Sequence, residues 1–164
     1  CYGCKTCSIA CKSEKQLDKG VLLRHVTAIR QDDPRAFAYL SMACNHCEEP
    51  ACMANCPVGA YSKLEDGTVI QDHSVCIGCK TCVNSCPYEV PQIDEEAGVS
   101  SKCTLCFDRL DNDHRPWCVQ ACPAEARIVG DLNDPESEVS KYIAEKGAQP
   151  YMPENGTTPS VYYV

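Results

Sequence analysis

The 164-residue chain is poor in the residues that build a conventional core. It has two Phe and one Trp, and Leu, Ile, Val and Phe together make up about 18% of it. Basic residues are also in deficit: 15 Lys and Arg against 23 Asp and Glu leave a formal charge of −8. That balance excludes a nucleic-acid surface, which needs cations to neutralise phosphates. No stretch approaches the roughly 18 consecutive apolar residues of a membrane helix, so no direct membrane span is expected. The chain opens on Cys1 rather than Met, and the natural N-terminus, with any targeting signal, is expected upstream. So few apolar residues and so much net charge would ordinarily read as disorder.

Sixteen cysteines reverse that reading, because something bound to the sulfurs must replace the missing core. They fall into four groups of four. Group one is Cys1-x2-Cys4-x2-Cys7-x3-Cys11, and group two is Cys44-x2-Cys47-x4-Cys52-x3-Cys56 before Pro57. Group three is Cys76-x2-Cys79-x2-Cys82-x3-Cys86 before Pro87, and group four is Cys103-x2-Cys106-x11-Cys118-x3-Cys122 before Pro123. The third group is the bacterial ferredoxin run, in which the fourth Cys ligates the other cluster of a pair. Two-residue gaps let a tight loop wrap an Fe–S cube while its N–H groups turn toward sulfur. The three-residue gap suits a helical turn that carries the last thiolate away, and the proline then fixes φ. Sixteen ligands at four per cluster give four [4Fe–4S] clusters and disfavour a native [3Fe–4S] centre.

A disulfide framework is permitted by the even count, but triplets packed this tightly pair badly with distant partners. Zinc ribbons use two C-x2-C pairs rather than triplets with a trailing Cys-Pro. Both are set aside. His46, between Cys44 and Cys47, is not needed as a ligand, since cysteines fill every site. Trp117 beside Cys118 reads as cluster packing rather than an electron relay. Lys5, Lys80 and Lys102 lie close to ligands in sequence, either offsetting cluster charge or simply solvated. No catalytic residue is expected, because the nucleophilic thiols are occupied as ligands.

Groups one and three are offset by 75 residues at every ligand, and Cys1-Tyr2-Gly3-Cys4-Lys5-Thr6-Cys7 closely repeats Cys76-Ile77-Gly78-Cys79-Lys80-Thr81-Cys82. An internal duplication is implied. Between groups two and three, Asp66-Gly67 and then Thr68-Val69-Ile70 predict a hairpin over Tyr61 to Gln71. That hairpin makes residues 44–86 an inner ferredoxin-like unit, inserted in an outer one made of 1–43 and 87–132. In this pairing Cys1, Cys4 and Cys7 share a cluster with Cys122, and Cys103, Cys106 and Cys118 share one with Cys11. Cys44, Cys47 and Cys52 go with Cys86, and Cys76, Cys79 and Cys82 with Cys56. Sequential pairing, one with two and three with four, remains possible from spacing alone.

The fold class is α+β, with short strands, hairpins and helices. Strands are expected over Val21 to Ile29, Ala36 to Met42 and Ala126 to Val129. A helix is expected over Ser13 to Lys19, and another over Pro135 to Lys146 with Asp134 as N-cap. Residues 133–164 form that helix and an extended arm, read as lying along a partner or as disordered.

With its long-gapped fourth group and a C-x2-C-x4-C-x3-C-P second group, the pattern resembles the four-cluster subunits of molybdenum or tungsten oxidoreductases. Cys44-Asn45-His46-Cys47-Glu48-Glu49-Pro50-Ala51-Cys52 and Cys76-Ile77-Gly78-Cys79-Lys80 are most similar to the iron–sulfur subunit of dimethyl sulfoxide reductase. Polysulfide, thiosulfate and tetrathionate reductase subunits are similar as well. Some relatives replace a ligand of the third group; here Cys82 is present, so four cubane clusters are expected. The resemblance, which covers residues 1 to about 132, implies an electron wire of anaerobic respiration. The clusters of groups one and four would face a molybdopterin catalytic subunit, and those of groups two and three a quinol-oxidising membrane anchor. It implies a peripheral location on the periplasmic, outer face of the cytoplasmic membrane, with the cytoplasmic face as the alternative. The other classes are a free-standing polyferredoxin carrier and the equivalent subunit of a formate dehydrogenase or hydrogenase complex.

Overall fold

The computed structural model describes residues 1–30 and 37–164. In chain order it contains α1 (Thr6–Glu14), β1 (His25–Arg30), β2 (Phe37–Met42), α2 (Ala51–Ala54), β3 (Tyr61–Lys63) and β4 (Val69–Gln71). There follow α3 (Thr81–Ser85), β5 (Gln92–Asp94), β6 (Val99–Ser101), α4 (Phe107–Leu110), α5 (Trp117–Gln120), α6 (Glu138–Lys146), β7 (Gln149–Pro150) and β8 (Tyr162–Tyr163). The described strands form four separate two-stranded antiparallel sheets. This is a small mixed helix-and-strand fold, and its elements are too short to be stable alone. Four cysteines, Cys7, Cys52, Cys82 and Cys106, are among the buried residues they pack around.

The duplication is visible in the backbone. Lys5 and Lys80, 75 residues apart, both adopt the left-handed conformation (φ 62° and 65°), and each launches a helix carrying the third thiol of its triplet. Gly3 and Gly78 are also left-handed (φ 77° and 64°), as glycine allows. A Cβ on Gly78 would overlap the backbone carbonyl of Gly98, and one on Gly3 would overlap the Tyr39 ring. Each loop therefore wraps closer to its neighbour than a side chain permits.

The Asp66-Gly67 hairpin forms as the sequence predicts, with Tyr61 opposite Gln71 and Lys63 opposite Val69. Asp66 accepts from the Thr68 N–H and hydroxyl, which tightens the turn. Tyr61, Val69, Cys52 and Cys82 form the buried cluster at the centre, with Cys56 and Val83 against it. α2 packs on α3, and α1 packs on α5.

Several local expectations are corrected. The first helix is Thr6–Glu14 rather than Ser13 to Lys19; Gln16 turns left-handed (φ 49°), and the Lys12 ammonium reaches back to the carbonyls of Leu17, Asp18 and Val21. Val21 to Arg24 precede β1 instead of extending it; Val21 and Leu23 are buried, and the Leu22 N–H between them donates to the Gln92 side chain. The start of the second predicted strand, Ala36, lies outside the described residues. Ala126 to Val129 form no strand; Arg127 turns inward to Ser41 instead. The last helix begins at Glu138 under Ser137, whose hydroxyl accepts from the Ser140 N–H at 3.2 Å. Asp134 caps only the turn before it, accepting from Glu136 N–H.

The tail is not a free arm. β7 pairs with β8, and the segment between them lies along group two of its own chain. Glu48 and Glu49 N–H donate to the carbonyls of Thr158 and Thr157, and Ser160 N–H donates to that of Asn45. The Ser160 hydroxyl donates to the His46 carbonyl, and Tyr88 and Thr157 share a hydroxyl contact of 2.6 Å.

Candidate iron–sulfur centres

The thiols border cavities. One, of about 380 Å³, is lined by Cys44, Cys47 and Cys52 and by Cys86, the last cysteine of the third group. Another, of about 280 Å³, is lined by Cys76, Cys79 and Cys82 and by Cys56, the last of the second group. On the other side, Cys11 stands near Cys103, Cys106 and Cys118; burial first, and then those thiols, push its own thiol up to about 12. Tyr2 stands near both Cys4 and Cys122. Burial likewise pushes Cys52 up to about 12, with Cys44 and Cys86 adding to the shift. Crowded thiols of this kind resist ionising by themselves and become thiolates when a metal pays for the charge.

Backbone and side chains point hydrogen at the sulfurs. His46 N–H donates to Cys44 Sγ at 3.4 Å, Ala60 N–H to Cys56 Sγ at 3.3 Å and Leu105 N–H to Cys103 Sγ at 3.3 Å. Gln71 Nε2 donates to Cys76 Sγ at 3.5 Å, while the Cys82 thiol donates to the buried Ser100 hydroxyl oxygen at 3.3 Å. The Cys79 thiol donates to Thr81 Oγ1 at 3.3 Å. Thr6, one repeat earlier, holds the Cys4 thiol below its ordinary value in the same way. Among the described residues no three thiols, imidazoles or carboxylates converge on a point suited to one metal ion. A zinc ion would draw its ligands to about 2.3 Å; these sulfurs surround a space. Soft thiol donors, four to each of these two cavities, with N–H groups aimed at several of the sulfurs, fit an Fe–S cluster.

His46 is a packing residue. Its Nδ1 accepts from Val69 N–H at 3.1 Å, and burial, followed by Lys102 and Arg24, lowers its pKa to about 3. Of the three lysines, Lys5 and Lys80 are exposed, while Lys102 is 3% exposed and sits in the wall of the first cavity. Its ammonium donates to the carbonyls of Val69 and Cys103. Trp117 carries the Arg109 guanidinium 3.6 Å above its ring, which folds the long loop of group four on itself. Sequence reasoning missed Ser41, Ser100, Gln71, Arg24 and Arg127, because none has a fixed offset from a cysteine. Arg24 is held above the ordinary arginine value: burial opposes the charge, but Cys118, Cys103 and Cys7 outweigh it. Arg127 is lowered by burial and then by Arg24.

Comparison with known proteins agrees with this chemistry. Residues 35–132, which contain groups two to four, match the 4Fe–4S dicluster domain family. The chain is 47% identical over 129 residues to the B subunit of the sulfite dehydrogenase of Allochromatium vinosum, covering 74% of this chain and 54% of that one. It is 36% identical over 170 residues to the B subunit of the tetrathionate reductase of Salmonella typhimurium, covering all of this chain and 68% of that one. It is 43% identical over 144 residues to the corresponding component of the anaerobic dimethyl sulfoxide reductase of Escherichia coli, covering 82% and 70%. The chain thus spans about half to two thirds of the length of these relatives. It belongs to the 4Fe–4S dicluster family. Its cofactors are [4Fe–4S] clusters, four by its complement of sixteen cysteines. No described helix is long and apolar enough to cross a membrane.

Proposed function

We propose that the clusters are held by Cys1, Cys4, Cys7 and Cys122; by Cys11, Cys103, Cys106 and Cys118; by Cys44, Cys47, Cys52 and Cys86; and by Cys56, Cys76, Cys79 and Cys82. The observation that carries this is the cavity shared by Cys44, Cys47, Cys52 and Cys86, in which one group supplies three thiols and another the fourth. The packing of α2 on α3 and of α1 on α5 supports an inner two-cluster unit nested in an outer one. Bound [4Fe–4S] clusters supply one-electron redox chemistry. The chain's own residues hold the thiolates, direct N–H groups at them and exclude water. Proton transfer is not asked of this chain.

We infer that the chain passes electrons between a quinol-oxidising membrane subunit and a molybdopterin catalytic subunit; that its relatives are named as subunits of reductases and of a dehydrogenase supports a place in an oxidoreductase complex. We assign the chain a peripheral position on the outer, periplasmic face of the membrane, which cell fractionation tests directly. Because the tail is engaged with its own chain, it does not argue for a docked partner; similarity to named reductase subunits does. Purification from native membranes is expected to bring down a large molybdenum-containing chain, and isolation alone supports a free carrier. Anaerobic preparations should hold about sixteen iron and sixteen sulfide per chain, four of each per cluster. Iron near half that, or stoichiometric zinc, overturns the ligand sets.

A further inference from the structure

Two arginines from distant parts of the chain meet at one serine of the outer half. Arg24 precedes β1, and Arg127 lies in the irregular segment after Cys122. Arg24 Nη1 donates to the Ser41 carbonyl at 3.0 Å and lies 3.5 Å from its hydroxyl, to which Arg127 Nη2 also donates. A hydroxyl has two lone pairs and one proton. With guanidinium donors on both lone pairs, Ser41 has one direction left for its proton. Cys7 Sγ is 3.6 Å away, and Ser41 is buried, so water does not compete.

Among the described residues no carboxylate forms an ion pair with either guanidinium. Two like charges brought together away from water are costly unless anions face them. What faces them is sulfur: Cys118, Cys103 and Cys7 around Arg24, and Cys7 and Cys118 around Arg127. Cys7 belongs to one of the outer ligand sets, and Cys103 and Cys118 to the other. An oxidised [4Fe–4S] centre with four thiolates is anionic, and reduction adds one further negative charge.

We propose that Arg24, Arg127 and Ser41 form a cationic post between the two outer clusters, which raises the reduction potential of the Cys7 cluster through the Ser41 hydroxyl. The inference rests on the ligand sets given above. Reduction adds one electron to the cluster and moves no proton, because both arginines stay charged and Ser41 keeps its hydrogen. Hydrogen bonds to the sulfurs and nearby charge are the levers that set such potentials. The inner half differs in charge: its Ser100 hydroxyl contacts Cys76 and Cys82 Sγ but receives a neutral Gln71 amide, while the Lys102 ammonium is bonded to two backbone carbonyls.

The test is an EPR-monitored redox titration of the full, cluster-loaded chain. Ser41→Ala removes the directed proton and leaves both cations in place. The reduced-to-oxidised ratio of one cluster at a fixed potential should fall about tenfold, a midpoint about 59 mV lower for a one-electron couple, with the other three unmoved. Arg127→Gln should lower the same midpoint, and Arg127→Lys should restore most of it. Unmoved midpoints, a shift spread over all four clusters, or loss of iron in Ser41→Ala would each overturn the post. If the unmutated chain holds four clusters and Ser41→Ala changes nothing, the post alone has failed. If the unmutated chain holds fewer, the ligand sets fail and the post fails with them.

Discussion

Around Cys44, Cys47, Cys52 and Cys86 the cavity wall is Val69, Val90, Pro50 and Tyr88 with a single ammonium group. Around Cys7 and Cys118 the neighbours are two guanidiniums and a hydroxyl. The inner half draws on one nearly contiguous stretch, so its thiols are part of an apolar core with Tyr61 and Val69. The outer half joins segments about a hundred residues apart, and among the described residues neither Arg24 nor Arg127 forms an ion pair with a carboxylate there. Chain proximity lets the inner half use hydrophobic burial. The outer half depends far more on the metal that its thiols and cations converge upon.

The strongest way to break that contrast is to remove the metal. Anaerobic iron chelation is expected to abolish far-ultraviolet circular dichroism together with the brown absorbance, since so little apolar area is available to offset ordering entropy. A sharp thermal transition that survives bleaching would show that the clusters are passengers.

Next come single ligands. Cys82→Ser and Cys122→Ser should each cost about four iron per chain, measured on anaerobic preparations. Cys82 is buried in the central cluster while Cys122 is half-buried. Losing the metal at the buried Cys82 site should cost more stability than losing it at the half-buried Cys122 site, seen as the lower thermal midpoint of the two variants. Cys122→Ser should instead release the N-terminal segment, read as cleavage near α1 in limited proteolysis. Equal midpoints and equal proteolysis would erase the difference between the halves.

A smaller effect separates the two copies of the repeat. Alanine at either Gly3 or Gly78 incurs the left-handed penalty, roughly 1–2 kcal/mol. At Gly78 the new Cβ also meets the Gly98 backbone carbonyl, whereas at Gly3 it meets the Tyr39 ring, which can swing aside. Gly78→Ala should therefore be the more destabilising, by at least about 1 kcal/mol in midpoint-derived stability. The smallest change is outside both halves: Ser137→Ala removes the α6 cap, costing about 1 kcal/mol locally. It should speed amide exchange over 138–146 and leave cluster spectra unchanged.

Signals confined to a few residues were legible. The Asp66-Gly67 hairpin, the 75-residue repeat and the four cysteine groups rest on local spacing, and each reappears in the backbone. Boundaries were harder. Ala126 to Val129 has the composition of a strand, but no described strand pairs with it, and Arg127 donates to Ser41 instead. Asp134 and Ser137 are both acceptable caps, and the competition was decided by which one lies a turn from Ser140 N–H. The tail looked unable to fold alone, which is true; what the sequence did not reveal is that its surface lay on the same molecule.

From sequence alone follow the ligand chemistry, the complement of clusters and the family, because thiol spacing is a short-range property that a cube of iron and sulfur reads directly. Tertiary structure alone decided that Lys102 is walled into a cavity while Lys5 and Lys80 stay in water. It alone brought Cys11 beside Cys103, Cys106 and Cys118, and Arg24 and Arg127 to one hydroxyl beside Cys7. Burial and charge proximity depend on which distant segments share a wall, and no periodicity along the chain encodes that.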